Sequence, residues 1–512
     1  MRSVFMEGIS YWIEKRAYIS PNRTALVGET RRLTYHQMAI EINEIFNAFT
    51  RDYHVRKGDR IAILSGNNIE YFLLLFAIAK IGCIAVPLNI RLSSKELEFQ
   101  LKDSEASVLI TNEEFYETGK DLASNCSISH LIKLEDLSYS NIQETTDTSS
   151  FSTESQSTDI NGSAPFLIVY TSGTTGRPKG AVLTQENMYW NAINNILSLD
   201  LTSYDRILSV LPLFHIGGIG LFALPALLSG GTVIIPNKFD PEQTLRLVEE
   251  EEISVMMGVP TIFDALRKSK NFLTTNLKSI KWFYSGGASC PHELINFYLE
   301  QGFPFGQGYG MTETSPTVFM LLKEDYRDKV GSIGKAVLFV DIRIVNEEGL
   351  DVEDNQVGEL IFKGPNVFKE YWNLPYETQK SFKDGWFYSG DLAKRDKDGF
   401  IYIAGRKKDM IISGGENIYP LEVEQVIGQH SLIAEAAVIG IPNDKWGEVP
   451  IAIVSVKAGQ TLDKQELIDF CTSRLAKYKI PKAIEIVSAL PMNATGKIDK
   501  ASLTHKYQNL KR

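Results

Sequence analysis

An unbroken apolar run, PFLIVY (Pro165–Tyr170), stops abruptly at the polar, glycine-rich TSGTTGRPKG of residues 171–180. An apolar run of that length reads as a buried strand. The helix-like ENMYWNAINNILSL follows, so the segment is expected to run strand, loop, helix. The same order recurs earlier: RIAILSG (Arg60–Gly66) as a strand, NIEYFLLLFAIAKIG as a helix, CIAVPL as the next strand. Strand–helix alternation of this kind implies an α/β architecture with mostly parallel strands.

The loop resembles a phosphate loop but is not of the Walker type, G-x-x-x-x-G-K-[ST]. Five positions beyond Gly173 stands Pro178, and Lys179 is followed by Gly180. Between Tyr170 and Gln185 there are two cations, Arg177 and Lys179, and no acid. Glycines let backbone N–H groups approach an anion, and hydroxyls and a lysine add donors to phosphate oxygens. A flexible surface loop has a similar composition, so two readings stand on the residues alone: polyphosphate clamp and plain connection.

A net charge of −10 makes nucleic acid and anionic membranes poor partners, and a bound anion needs a local positive site. Cys83, Cys126, Cys290 and Cys471 are scattered with no C-x-x-C, which argues against a zinc site or disulfide framework and for a reducing, cytoplasmic setting. The start, MRSVFMEGISYWIEKRAY, has no long apolar core of a signal peptide. Ile207–Asn237 carries no formal charge and is long enough to cross a bilayer, but Pro212, Pro225, Pro236 and several glycines favour a buried α/β core, and no integral membrane segment is expected. Asp136–Ser163, dense in Ser, Thr, Asn and Asp, reads as a long exposed connection. At 512 residues the chain is long for one domain. Its texture changes near Gly405, where GFIYIAG and DMIISGG flank the charged tetrad Arg406–Asp409. A compact α+β pattern follows, so the division expected is 1–405 and 406–512 with a hinge at the tetrad.

The exact string TSGTTGRPKG resembles the signature loop of the adenylate-forming superfamily, which includes acyl- and aryl-CoA synthetases, firefly luciferase and peptide-synthetase adenylation domains. LPLFHIGG (211–218), YSGGA (284–288), GQGYGMTETSP (306–316), VGELIFKGPNVFKEYW (357–372), the long motif 384–424 and PMNATGKI (491–498) appear in the superfamily's order, and the resemblance covers essentially the whole chain. It implies a large N-terminal domain of several subdomains, with parallel and mixed sheets flanked by helices, and a small mobile α+β C-terminal domain.

By that resemblance, Thr171, Ser172, Gly173, Thr174, Thr175, Gly176 and Lys179 belong to a loop gripping the β- and γ-phosphates of ATP. Thr312 contacts the α-phosphate and Glu313 holds Mg²⁺, a hard cation suited to carboxylate and phosphate oxygens. Gly286, Gly287 and Ala288 line the adenine, with Tyr309 stacked on it beside Gly310. Asp391 and Arg406 bind the ribose. Lys497 bridges carboxylate and α-phosphate in the first half-reaction. Lys408 is the hinge about which the small domain turns, replacing Lys497 by the loop carrying Gly414 and Gly415 for the second. His215 is implied as an acyl-pocket and thiol-gate residue, not a general base. Taken singly, these are also ordinary residues: Glu313 a surface acid, His215 a core histidine, Lys497 a solvated lysine.

Peptide-synthetase domains usually carry an acid beside this position to pair the substrate ammonium; Phe214–Gly218 has none, so the resemblance implies an acid without an α-amino group. The implied activity is an AMP-forming acid–CoA ligase for a hydrophobic fatty or aryl acid, with ATP, Mg²⁺ and coenzyme A, and a homodimer is a possible assembly. An o-succinylbenzoate–CoA ligase and a stand-alone enzyme loading a carrier protein are the alternatives. One departure is Gln185 in LTQEN, where the superfamily commonly has His; the change is expected to be peripheral.

Overall fold

The computed structural model describes residues 8–137, 161–171, 177–493 and 497–508. Most of the connection read in Asp136–Ser163, and Ser172, Gly173, Thr174, Thr175 and Gly176 of the loop, lie outside the described residues.

Two large sheets carry the N-terminal part. In a nine-stranded sheet, six strands run parallel: Phe305–Gly310, Trp282–Ser285, Val255–Gly258, Arg206–Ser209, Thr232–Ile234 and Thr24–Val27. Antiparallel strands close both of its edges. In a seven-stranded sheet, Pro165–Thr171 continues a parallel set built on Arg60–Leu64 and Ile84–Pro87. Helix Ile69–Ile81 is apolar on nearly every face because it is buried almost throughout. The Asn68 side chain accepts from Tyr71 N at 2.8 Å to start it, and Gly82, at φ +81°, ends it in the left-handed region where side chains are disfavoured. The uncharged stretch from Ile207 forms two of the parallel strands and the short helices Ile216–Gly220 and Ala223–Ser229. No helix of the described residues is long and apolar enough to cross a membrane.

The expected strand–loop–helix is corrected. The loop after Pro165–Thr171 leads into a second strand, Lys179–Thr184, antiparallel to the first, with Thr171 opposite Lys179. The loop is therefore the connection of a β-hairpin. The helix, Gln185–Leu199, begins only after that strand, capped by the Thr184 hydroxyl accepting from Asn187 N. Alternating polarity is weak in KGAVLT because both faces of the strand are buried, so its end merges with the helix signal.

Gln185 is also corrected. It is fully buried rather than peripheral: Oε1 accepts from Ile9 N at 2.8 Å, and Nε2 donates to Ala79 O at 3.1 Å, tying the N-terminal segment to helix Ile69–Ile81.

A third, antiparallel sheet holds Asp341–Val345, Gly358–Lys363, Trp386–Arg395 and Ile401–Arg406. The next sheet begins at Ile411–Ser413 and includes the long pair Ile433–Asn443 and Gly447–Val456, with Ile484–Val487 added in parallel. Helices Pro420–Gly428 and Lys464–Thr472 cover it over a core of its own that includes Ile418, Val423, Ile427, Val438 and Leu467. Between the two sheets lies the turn Lys407–Asp409.

Candidate active site

His215, Gly286–Ala288 and Thr312 all follow the carboxyl ends of strands in the parallel part of the nine-stranded sheet, where open α/β sheets bind their ligands. Gly310 is demanded there by close approach, since a Cβ would sit 1.5 Å from Pro316 O. Gly286 is buried, and Gly287 and Ala288 are exposed at the strand's mouth.

Thr312–Thr314 forms a single tight turn. The Asn366 amide pins it by donating to Thr314 O at 2.8 Å and Thr317 O at 2.7 Å, and Phe368 N donates to Glu313 O at 2.8 Å. Glu313 is buried and accepts a hydrogen bond from Tyr371 Oη at 2.8 Å. Burial raises its carboxyl pKa, against the opposing hydrogen bond of Tyr371.

Asp391 stands opposite Arg406 on paired strands, its Oδ1 3.2 Å from Arg406 Nε. Tyr309 Oη donates to Asp391 Oδ2, and the Ser389 hydroxyl accepts from Asp391 N at 3.0 Å. Burial raises the Asp391 carboxyl despite these partners, and it pushes the Tyr309 hydroxyl well above its ordinary value, so Tyr309 remains a donor.

Lys497 comes from the far end of the chain. Its loop is closed by the Met492–Ile498 bridge, by Lys497 N on Asn493 Oδ1 at 3.0 Å and by Asn493 N on Lys497 O at 2.8 Å. Although Lys497 is exposed by surface area, protein packed around its amine depresses the pKa, Arg406 depresses it further, and Asp391 opposes both. Burial lowers the His215 imidazole to about 4, helped by Arg91 and Lys497, and its buried Nε2 has no hydrogen-bond partner among the described residues. His215 is thus neutral near pH 7. The fold brings Lys497, Arg406, Asp391, Tyr309 and His215 into one electrostatic neighbourhood.

On the hairpin, Lys179 pairs with Glu377 and lies over the Tyr371 ring, 5.2 Å from its centroid. The Thr171 hydroxyl donates to Lys179 O at 3.4 Å. Lys408 is exposed in the turn between the third sheet and the C-terminal one. Gly414 and Gly415 form an exposed hairpin turn, with Gly414 N donating to Trp446 O at 2.8 Å; among the described residues no hydrogen bond joins them to Asp391 or Lys497. Tyr371, Glu377, Asn366 and Arg91 join the site without a role legible in the sequence. Tyr371 lies inside the motif VGELIFKGPNVFKEYW, but its reach to Glu313 depends on a short antiparallel pairing of Glu370–Tyr371 with Lys179–Thr184 that no spacing reveals.

The family model described as AMP-binding enzyme matches residues 13–372, and that of the AMP-binding enzyme C-terminal domain matches 422–497. The chain belongs to the AMP-binding enzyme family. This AMP-binding enzyme is 39% identical to a feruloyl-CoA synthase of Amycolatopsis sp, over 98% of its own length and 99% of that protein's. It is 34% identical to a long-chain-fatty-acid–CoA ligase of Mycobacterium tuberculosis, covering 98% and 99%. Its structure resembles that of o-succinylbenzoate CoA synthetase from Bacillus subtilis bound to an acyl-adenylate, at a TM-score of 0.85 and 34% identity, covering 96% and 97%. These relatives are acid–CoA ligases, and this AMP-binding enzyme is an AMP-forming acyl-CoA synthetase of the adenylate-forming superfamily.

Proposed function

We propose that the enzyme activates a hydrophobic carboxylic acid as an acyl-adenylate and then passes the acyl group to the thiol of coenzyme A, with aryl acids foremost because the chain is 39% identical to a feruloyl-CoA synthase. The observation that carries this reading is the convergence of Lys497 on Asp391 and Arg406. A carboxylate is a poor acylating agent because its leaving group is oxide. Joining it to AMP at the α-phosphorus releases pyrophosphate and creates a good leaving group. Negative charge gathers at the α-phosphate and the attacking carboxylate, and a lysine amine there stabilises it as it develops. In this reading Thr312 donates to the α-phosphate, Asp391 accepts from the ribose hydroxyls with Arg406 and Tyr309 fixing its orientation, and Lys179 faces the polyphosphate end.

Among the described residues no three acids, histidines or cysteines cluster as a metal cage. Mg²⁺ held mainly by phosphate oxygens and water needs only one or two carboxylates, and Glu313 fits that demand. When bound, the ion would neutralise polyphosphate charge.

An apolar acid is supported by the neutral His215 and by the segment Phe214–Gly218, which holds no carboxylate to pair a substrate ammonium. The proposed domains are 1–405 and 406–512, with Lys408 as pivot. Arg406 pairs with Asp391 in the third sheet and Lys407 with Glu359 of the same sheet at 2.8 Å, so in this proposal the rotation begins at the exposed Lys408. A cytoplasmic location belongs to the proposal, supported by four cysteines that form no disulfide; a homodimer is to be checked by sedimentation. The deciding experiment is pyrophosphate release from ATP and Mg²⁺, with and without coenzyme A, over fatty acids, benzoates, cinnamates and o-succinylbenzoate. CoA-accelerated turnover peaking on aryl acids is expected. Release that CoA never accelerates would overturn the acceptor, and a maximum on o-succinylbenzoate would replace the substrate class.

A further inference from the structure

The two cations of the hairpin are placed very differently. Arg177 is exposed and lies over the Phe99 ring at 5.6 Å. Lys179 is drawn in: its side chain is 14% exposed and its amine is ion-paired with Glu377, itself 28% exposed. The protein itself thus supplies Lys179 with an anionic partner.

The segment that supplies this anion is laid directly on the hairpin. Tyr371 pairs with Ala181 and Glu370 with Val182, and Trp372 N donates to Gly180 O at 2.7 Å. The chain then turns into the short helix Pro375–Ser381, tied back by Tyr371 N on Thr378 Oγ1 at 2.9 Å. Glu377 sits in its first turn, and no residue of that helix is buried. Glu377 is thus partly open to solvent. Between the two groups lies Tyr371, with Lys179 over its ring and Glu313 on its hydroxyl. Lys179 holds the Glu377 carboxyl below its ordinary range, so that carboxyl is ionised at neutral pH.

We propose that Glu377 is a positioning residue: its carboxylate holds the Lys179 amine beside Tyr371 until polyphosphate displaces it, and so it sets the site's affinity for ATP and pyrophosphate. The inference rests on the reading of Lys179 as a polyphosphate ligand. Its physical content is competition. A phosphate oxygen and the Glu377 carboxylate want the same amine, and if both stayed they would repel each other. The exchange swaps one charge-assisted hydrogen bond for another, so ATP is held less tightly than a free lysine would hold it and pyrophosphate leaves more readily.

The test is calorimetric titration of Mg²⁺-pyrophosphate into the full-length wild type, Glu377→Gln, Glu377→Asp, Lys179→Ala and the Glu377→Gln/Lys179→Ala double variant, with initial rates alongside. Glu377→Gln keeps the shape and removes the charge; it should bind pyrophosphate about three- to tenfold more tightly and lower the KM for ATP by the same factor, leaving the KM for the acid unchanged. Glu377→Asp should remain close to the wild type. In the Lys179→Ala background, Glu377→Gln should have no further effect. Glu377→Gln that melts normally but binds pyrophosphate no better than the wild type overturns the inference, as does an equal gain in the absence of Lys179. If Lys179→Ala itself binds pyrophosphate as well as the wild type, the polyphosphate reading of Lys179 fails and the inference falls with it.

Discussion

Tyr309 donates its hydroxyl hydrogen to Asp391 in a bond that spans 82 positions of sequence, while the other oxygen of the same carboxylate faces Arg406 at 3.2 Å. A residue assigned by resemblance to stacking also orients the acid that would hold the ribose. Tyr309→Phe keeps the ring and removes that orientation. A hydrogen bond to a charged group is worth about 1.5–3 kcal/mol, so the KM for ATP should rise about tenfold or more. An unchanged KM would show that ATP binding does not depend on this bond.

Lys497→Ala should reduce acyl-adenylate formation by about 10²–10³-fold, the scale of a lost charge-stabilising donor, while thioester formation from supplied acyl-AMP persists. Rapid-quench measurement of each half-reaction separates the two. Equal loss in both would remove Lys497 from the first step.

Lys408→Pro stiffens the turn between the third and the C-terminal sheets. Adenylation should be spared and transfer to coenzyme A blocked. Among the described residues Gly414 and Gly415 have no hydrogen bond to the Asp391 region in this arrangement and would have to be brought there. Normal CoA turnover in the variant would count against rotation about this residue.

Glu313→Gln should raise stability and abolish turnover. Burial lifts the Glu313 pKa, so the folded protein binds more protons than the unfolded chain above the ordinary carboxylate value of 4.5. Its penalty therefore grows as pH rises through that window and is fully present at neutral pH. Removing the charge while keeping an acceptor for Tyr371 should add about 1 kcal/mol to the unfolding free energy at pH 7, less at pH 4. Thermal melts at the two pH values check the sign.

His215 titrates in the opposite sense. Its pKa falls from 6.5 to about 4, so its contribution to stability is complete above 6.5 and is lost as pH drops through that interval. His215→Phe should move the acid-unfolding midpoint downward and leave the activity profile between pH 7 and 8 unchanged. An activity step near neutrality that vanishes in the variant would make His215 a proton carrier.

Periodicity alone makes the α/β class legible: RIAIL, IAVP and PFLIVY are largely apolar because parallel strands are covered on both faces. The same property hides Lys179–Thr184. A strand buried on both faces and followed at once by a helix cap has no alternation to announce it. The glycine-rich segment therefore reads as a strand-to-helix connection, although the strands on either side of it pair antiparallel. Gln185 is deceptive for a related reason. A polar side chain at the helix start looks solvent-facing until the backbone groups of Ile9 and Ala79, far away in sequence, arrive to bond it.

Local motifs determined which residue types were available for the chemistry: a glycine-rich loop with a lysine, an acid in a tight turn, an aspartate opposite an arginine, a lysine near the C-terminus. Chain folding over long separations decided who meets whom. The hydrogen bond from Tyr371 to Glu313, the ion pair of Lys179 with Glu377 and the field of Lys497 on His215 all depend on sheet pairings and domain placement. Hydrogen bonds and charges act over a few ångströms, and no short-range pattern in the chain specifies which distant groups packing will bring within that reach.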